Sequence, residues 1–324
     1  MQKAKDIRKI NPKSLILPEL IPLIIPDFLN HSKPVLANVL SFEKISSEEW
    51  FMKFVNEVEG KIGKEYFPIM RMSDGEYTFL LGIIYPYLQG HGLISYAKKI
   101  INVTKQKLFN RNQFNAATLP GVSSGNYQIE EIKNQKKIIC KQIKKISDRG
   151  ILALHLTYAI KPFQEHYHYP LMKWLNNSEI ELNDNNYYPF YFVYALLRGQ
   201  YKKRILANRK ILIFHSAQGE KRNRIIESLQ NEGVKSVMWH EISSNRSMFD
   251  KIELQKEYYD SEIAFIGAGV GKFNIISQLE PLNIPCIDVG FVFEVWANEE
   301  NKWKRPIMVP DWEWEDEKVN FIKK

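Results

Sequence analysis

Glu262-Ile-Ala-Phe-Ile266 runs into Gly267-Ala-Gly269-Val-Gly271-Lys272, then an apolar helical segment to Leu279, then Ile284-Pro-Cys-Ile-Asp-Val289. An apolar run, a glycine turn, a helical pattern and a second apolar run describe a strand, helix, strand unit with parallel strands. The stretch before it repeats the pattern. Lys210-Ile-Leu-Ile-Phe-His215 reads as a strand, Gly219 to Asn231 as a helix and Val234 to Trp239 as a strand, with a helix expected near Met248 to Tyr258. Strands that are apolar almost throughout fit a sheet covered on both faces. The expected fold class is α/β: a Rossmann-like, mostly parallel sheet flanked by helices, which binds ligands beyond the carboxyl ends of its strands.

Further from this block the same signals recur. Ile151 to Leu156 reads as a strand and Tyr191 to Leu197 as a helix; Gln128 to Arg149 carries isoleucines at helical spacing with lysines on the other face. Such a basic amphipathic helix lies on a solvated surface or on an anionic membrane. Tyr66-Phe-Pro-Ile-Met-Arg71 reads as a short buried strand, and Ser73-Asp-Gly-Glu76 as a turn into a helix from about Tyr77. Ser46, followed by Glu48 and Glu49, opens a helix to about Gly60, because serine caps the first turn and acids there suit the helix dipole. Residues 1–45 are rich in proline and read as a helical N-terminal extension packed on the body, with the main domain over 46–310 and a tail over 311–324.

The composition is that of a folded chain. With 324 residues, 44% hydrophobic and 13% aromatic, it has too much apolar matter for a disordered protein, and its 16 Gly and 15 Pro are too few for collagen. Cys140 and Cys286 make neither a disulfide framework nor a zinc site by themselves, which suits a reducing, cytoplasmic setting. The stretch from Leu15 to Leu29 is broken by Pro18, Pro22 and Pro26 and carries Glu19 and Asp27, so it reads as neither a span nor a secretory signal. A net charge of +8 favours acidic partners such as nucleotides, nucleic acid or lipid headgroups.

Four groups of residues can carry chemistry. In Arg71-Met-Ser-Asp74-Gly75-Glu76 a glycine separates two carboxylates that can hold a hard divalent cation, or the same residues form a capped turn with Arg71 in a salt bridge. Gly267, Gly269 and Gly271 offer backbone N–H groups to a phosphate or serve close strand–helix packing. The block cannot be a Walker A loop, because Ile266 and Phe273 stand where glycine and Ser or Thr are needed. His215, Ser216, Lys221, Arg222 and Arg224 follow another strand, where Ser216 can cap the next helix and the cations can meet a diphosphate. Glu165-His166-Tyr-His168 has too few partners for a metal, and Tyr187, Tyr188, Phe190, Tyr191, Phe192 and Tyr194 read as core or as a platform for a sugar ring.

Arg71 to Glu76 resembles the Arg-Phe-Gly-Asp-Gly-Glu signature of the GT-D type glycosyltransferases, a bacterial group that transfers sugar from a nucleotide sugar. Ile263-Ala-Phe-Ile-Gly-Ala-Gly269 followed by Ile287-Asp288-Val-Gly290 resembles that family's closing strand, glycine turn, helix, strand and Asp-x-Gly. Met72 and Ser73 replace its Phe and Gly, and Phe291 stands where a polar residue, often His, follows the closing glycine. The likeness implies a GT-D type fold and a hexosyltransferase that uses Mn2+ or Mg2+ held by Asp74 and Glu76. It implies a nucleotide-sugar donor, a UDP-hexose, with Arg71 supporting the turn or meeting a phosphate; Gly267, Gly269, Gly271, Ser216 and Lys221, at the ends of their strands, are the further candidates for holding that donor. Glu294 is the first choice and Asp288 the second for a base that takes the proton of a glycan or glycoprotein acceptor. The expected enzyme is cytoplasmic, either free or peripheral to the membrane's inner face, and binds no nucleic acid. A nucleotide-binding α/β enzyme of another class and a non-catalytic nucleotide or RNA module are the competing readings.

Overall fold

The computed structural model describes residues 19–23, 37–42, 45–81, 113–115, 126–156 and 168–299. Its strands are β1 (Glu19–Leu23), β2 (Ala37–Ser41), β3 (Phe67–Met72), β4 (Gln113–Asn115), β5 (Asn126–Gln128) and β6 (Ile151–Leu154), then β7 (Tyr187–Pro189), β8 (Lys210–His215), β9 (Ser236–Glu241), β10 (Ile263–Gly267) and β11 (Pro285–Asp288). Seven of them form one sheet in the order β7-β6-β3-β11-β10-β8-β9, with every neighbouring pair parallel. The reason is in the side chains: β3, β6 and β11 are buried along their whole length, which only a sheet with both faces covered allows. The expected α/β class is what the chain adopts.

The helices cover that sheet with faces their sequences prepare. Helix Ser47–Lys61 starts in a capping box, in which Ser46 Oγ accepts from Glu49 N–H at 3.2 Å and the Glu49 carboxylate accepts from Ser46 N–H at 3.0 Å. Its Trp50 and Phe54 pack on Phe192 and Tyr188 at ring separations of 5.3 and 4.9 Å, so most of the tyrosine-rich run is core. Helix Ile129–Arg149 buries Ile139, Ile143 and Ile146 and leaves Lys133, Lys137 and Lys141 exposed, as its spacing predicts.

Three expectations need correction. The described part of the N-terminal extension is not helical: β1 and β2 pair as an antiparallel ribbon, and Pro22 lies within β1, where a helix interior would lose a hydrogen bond to it. No α-helix spans Met248 to Tyr258; two 3-10 turns, Ser247–Phe249 and Lys256–Asp260, stand there instead. Side chains take the backbone groups a helix would use, since Asn274 and Gln278 both donate to the Asp250 carbonyl and the Asp250 carboxylate accepts from Ser243 N–H. The third correction concerns Asp74-Gly75-Glu76, which is the first turn of helix Asp74–Leu81 and not a turn before it.

What this topology does for a site is simple. β3, the sheet's first strand in chain order, and β11, its last, lie side by side at the centre. Their carboxyl ends therefore open at the same place.

Candidate functional site

Arg71, near the end of β3 and three residues before helix Asp74–Leu81, is only 4% exposed on a strand that is otherwise apolar. Its Nε donates to the Asp288 carbonyl at 2.7 Å and its Nη2 to Asp288 Oδ1 at 3.3 Å, while its backbone N–H donates to Oδ2 at 3.3 Å. The guanidinium lies 5.0 Å from the Phe190 ring centre and 4.6 Å from that of Tyr194. Burial, the largest single influence, works against its charge, but the Asp288 carboxylate together with Tyr194 and Glu76 outweighs it and holds the pKa above the usual range. Gly290 makes room for it. A Cβ at that position would stand 1.6 Å from Arg71 Nη2, and the backbone there is left-handed at φ +51°.

Glu76 faces the same point from helix Asp74–Leu81. Its Oε2 accepts from Ser73 N–H at 2.9 Å, which is one half of a capping box, and its Oε1 lies 2.7 Å from Lys272 Nζ. Lys272 also reaches Asp288 Oδ2 at 2.7 Å. Arg71, Lys272, Glu76 and Asp288 thus form a buried cluster of two cations and two carboxylates, neutral as a whole. Asp74 opens the helix beside it; its side chain lies outside the described residues. The two sequence blocks that carry the glycosyltransferase resemblance are joined here by direct bonds.

The glycine block serves this cluster by packing. A Cβ on Gly271 would stand 2.1 Å from Ser247 Oγ, and one on Gly267 would meet His215 Cδ2 at 2.4 Å and Phe293 at 2.6 Å. Gly269 is left-handed at φ +52°. These close approaches bring the seven-residue helix Lys272–Gln278 against Ser247 and aim its first side chain at Asp288.

Other expected residues gather elsewhere. Lys221 pairs with Glu294 at 2.8 and 2.7 Å and with Glu299 at 3.0 Å, at the partly exposed rim. Burial lowers the Lys221 pKa, yet the bonds to Glu294 and Glu299 outweigh it and raise the net value. Two residues expected to act separately, one on the donor and one on the acceptor, therefore hold each other. Ser216 does not cap the following helix: Gln218 stands at the cap of Gly219–Asn231 with no side-chain bond. His215 accepts from Ala217 N–H at 2.9 Å through Nδ1 and packs on Phe293 at 4.5 Å. Burial, with a smaller push from Lys221, lowers its pKa to about 4, so it is neutral at pH 7.

Lys272 and His155 carry weight that the sequence reading missed. Lys272 was legible as a cation placed directly after a glycine turn at the end of a buried strand. His155 directly follows β6, at the same sheet edge as His215, the last residue of β8; its Nδ1 lies 3.3 Å from Ser73 Oγ and its Nε2 3.0 Å from the Tyr191 hydroxyl, and burial lowers its pKa to about 4. The tyrosine run thus supplies Phe190, Tyr191 and Tyr194 to the site. Of Glu165-His166-Tyr-His168, the first three lie outside the described residues; His168 is buried, and burial together with the neighbouring His155 brings its pKa to about 3.

Hard oxygen donors at Asp74 and Glu76 suit Mn2+ or Mg2+ in chemistry. The surroundings of Glu76 do not suit it, because both carboxylate oxygens are engaged and the charge is already balanced by Lys272. A dication near that ammonium meets about 4 kcal/mol of repulsion per unit charge at close range and intermediate dielectric. No cluster of three His, Cys, Asp or Glu groups able to hold a metal is found among the described residues.

No family model matches the chain, and no curated protein matches it. A solved structure described as the selenomethionine-substituted domain of unknown function 1792 aligns over 79% of this chain and 87% of its own, at 13% identity and a TM-score of 0.37. A likeness that loose assigns nothing. No helix among the described residues is long and apolar enough to cross a membrane.

Proposed function

We propose that the protein is a glycosyltransferase that moves a hexose from a nucleotide sugar, with a UDP-hexose as first candidate, to a glycan or glycoprotein acceptor. One observation carries the reading: Arg71 and Asp288, 217 residues apart and each inside a block that resembles the GT-D enzymes, bond to each other at the central carboxyl edge of a parallel sheet. That edge is where sheets of this kind bind nucleotides.

Sugar transfer builds negative charge on a departing diphosphate, and fixed donors that do not reorganise stabilise it best. In this reading Asp74 and the glycine turn border the donor, and the cluster of Arg71, Glu76, Lys272 and Asp288 fixes the shape of that border. Of the two acids proposed as base, Glu294 suits the role better. Its side chain is 18% exposed, whereas that of Asp288 is 2% exposed and spends its oxygens on Arg71 and Lys272. Contact with the inner face of a membrane belongs to the same proposal, since the lysine face of helix Ile129–Arg149 can meet anionic headgroups.

A thermal-shift panel of nucleoside diphosphates, nucleotide sugars and oligonucleotides tests it. A ligand at a hundred times its dissociation constant adds about 2.7 kcal/mol, a shift of several degrees. Stabilisation by one UDP- or GDP-hexose is expected. Response to oligonucleotides alone would favour the nucleic-acid module.

A further inference from the structure

The pairing of Lys272 points beyond that reading. Its side chain is 3% exposed, and its ammonium lies 2.7 Å from one oxygen of Glu76 and 2.7 Å from one of Asp288. A cation that bridges two carboxylates contributed by different elements is the usual task of a bound divalent ion. We infer that Lys272 is the resident cation of this site, holding Glu76 to Asp288 in place of a divalent metal, so that donor binding at this edge needs neither Mn2+ nor Mg2+. Its last clause rests on the nucleotide-sugar reading; the bridging role does not.

Three features on separate elements support the assignment. Arg71 neutralises the rest of the Asp288 charge, so the cluster is balanced with Lys272 and would be overcharged with a dication added. Glu76 has its second oxygen on Ser73 N–H, which fixes the carboxylate toward Lys272 and away from free rotation. Gly271, which a side chain could not replace without striking Ser247, sets Lys272 at the point where its chain reaches both acids. The lysine is thus a positioning residue: it ties the helix after β3 to the end of β11.

Calorimetric titration of the full chain with Mn2+ alone tests this. The wild type is expected to show no site that depends on Glu76, while Lys272→Met is expected to gain Mn2+ affinity at least about tenfold, and Lys272→Met with Glu76→Gln to lose that gain. Mn2+ binding by the wild type that disappears in Glu76→Gln overturns the inference. So does a folded Lys272→Met protein that gains no Mn2+ affinity. Should Lys272→Met fail to fold, the wild type and Glu76→Gln titrations decide alone: no difference between them upholds the inference. For the donor clause, the thermal shift given by a UDP-hexose should be the same in EDTA as in Mn2+; a shift that appears only with Mn2+ overturns it. If no nucleotide sugar shifts the protein at all, the glycosyltransferase reading fails, and the metal titration still judges Lys272.

Discussion

The centre of the sheet edge and its rim hold the same kinds of residues in different ways. At the centre, Arg71, Lys272, Glu76 and Asp288 are almost wholly out of water. At the rim, Lys221, Arg224, Glu294 and Glu299 pair with side chains that are 11 to 35% exposed. Buried charges are costly to strip of a partner, because the remaining one stays in low dielectric; exposed pairs contribute little and weaken with salt. The difference teaches that the centre is architecture with charged parts, whereas the rim pairs are held loosely enough to be exchanged.

The comparison can be broken most severely at Gly290. Gly290→Ala puts a methyl group onto the Arg71 guanidinium and strains a left-handed backbone, so soluble folded protein should largely disappear; circular dichroism and yield are the checks. Arg71→Met comes next. It leaves Asp288 with half its compensation in the interior, and urea unfolding should show a loss of about 3–5 kcal/mol with an unchanged m value.

Acid probes both regions through their buried histidines. His155 beside the centre and His215 beside the rim each titrate near 4 when folded, against 6.5 for the free side chain. The unfolded chain therefore binds more protons between these values, so stability is full above pH 6.5 and falls as pH drops toward 4. His155→Gln should flatten that fall by about one proton, read from the slope of unfolding free energy against pH.

The smallest effect on stability is expected at the rim. Lys221→Ala should cost at most about 1 kcal/mol, and the cost should shrink in high salt, whereas the Arg71→Met cost should not. Glu294→Gln should leave the unfolding midpoint nearly unchanged while it removes most sugar transfer, measured by nucleoside diphosphate release. Normal turnover in that variant would remove Glu294 as the base.

Much of the fold was legible because its strands are short, apolar and punctuated by glycine. The last third, from Lys210 to Val289, alternates strand and helix as its pattern implies, except near Met248, where Asn274 and Gln278 capture a carbonyl from across the chain. No local pattern carries that information. The site was legible in its ends but not in its wiring. Asp74-Gly-Glu76 and Asp288-Val-Gly290 stand out as motifs, but the link between them is Lys272, an ordinary lysine whose burial only the packing of Gly271 on Ser247 reveals. Likewise, the tyrosine-rich run reads as core by composition, and only the sheet order sets Phe190 and Tyr194 over Arg71.

The adjacency of β3 and β11 also constrains how the chain can be made. A ribosome releases Arg71 long before Asp288, so the growing chain holds an arginine whose counterion does not yet exist. Its strand cannot settle permanently into an apolar interior until the final strand arrives to receive it. Completion of the sheet's centre therefore waits on the last strand made, because β11 lies between β3 and β10 and carries the carboxylate that balances Arg71.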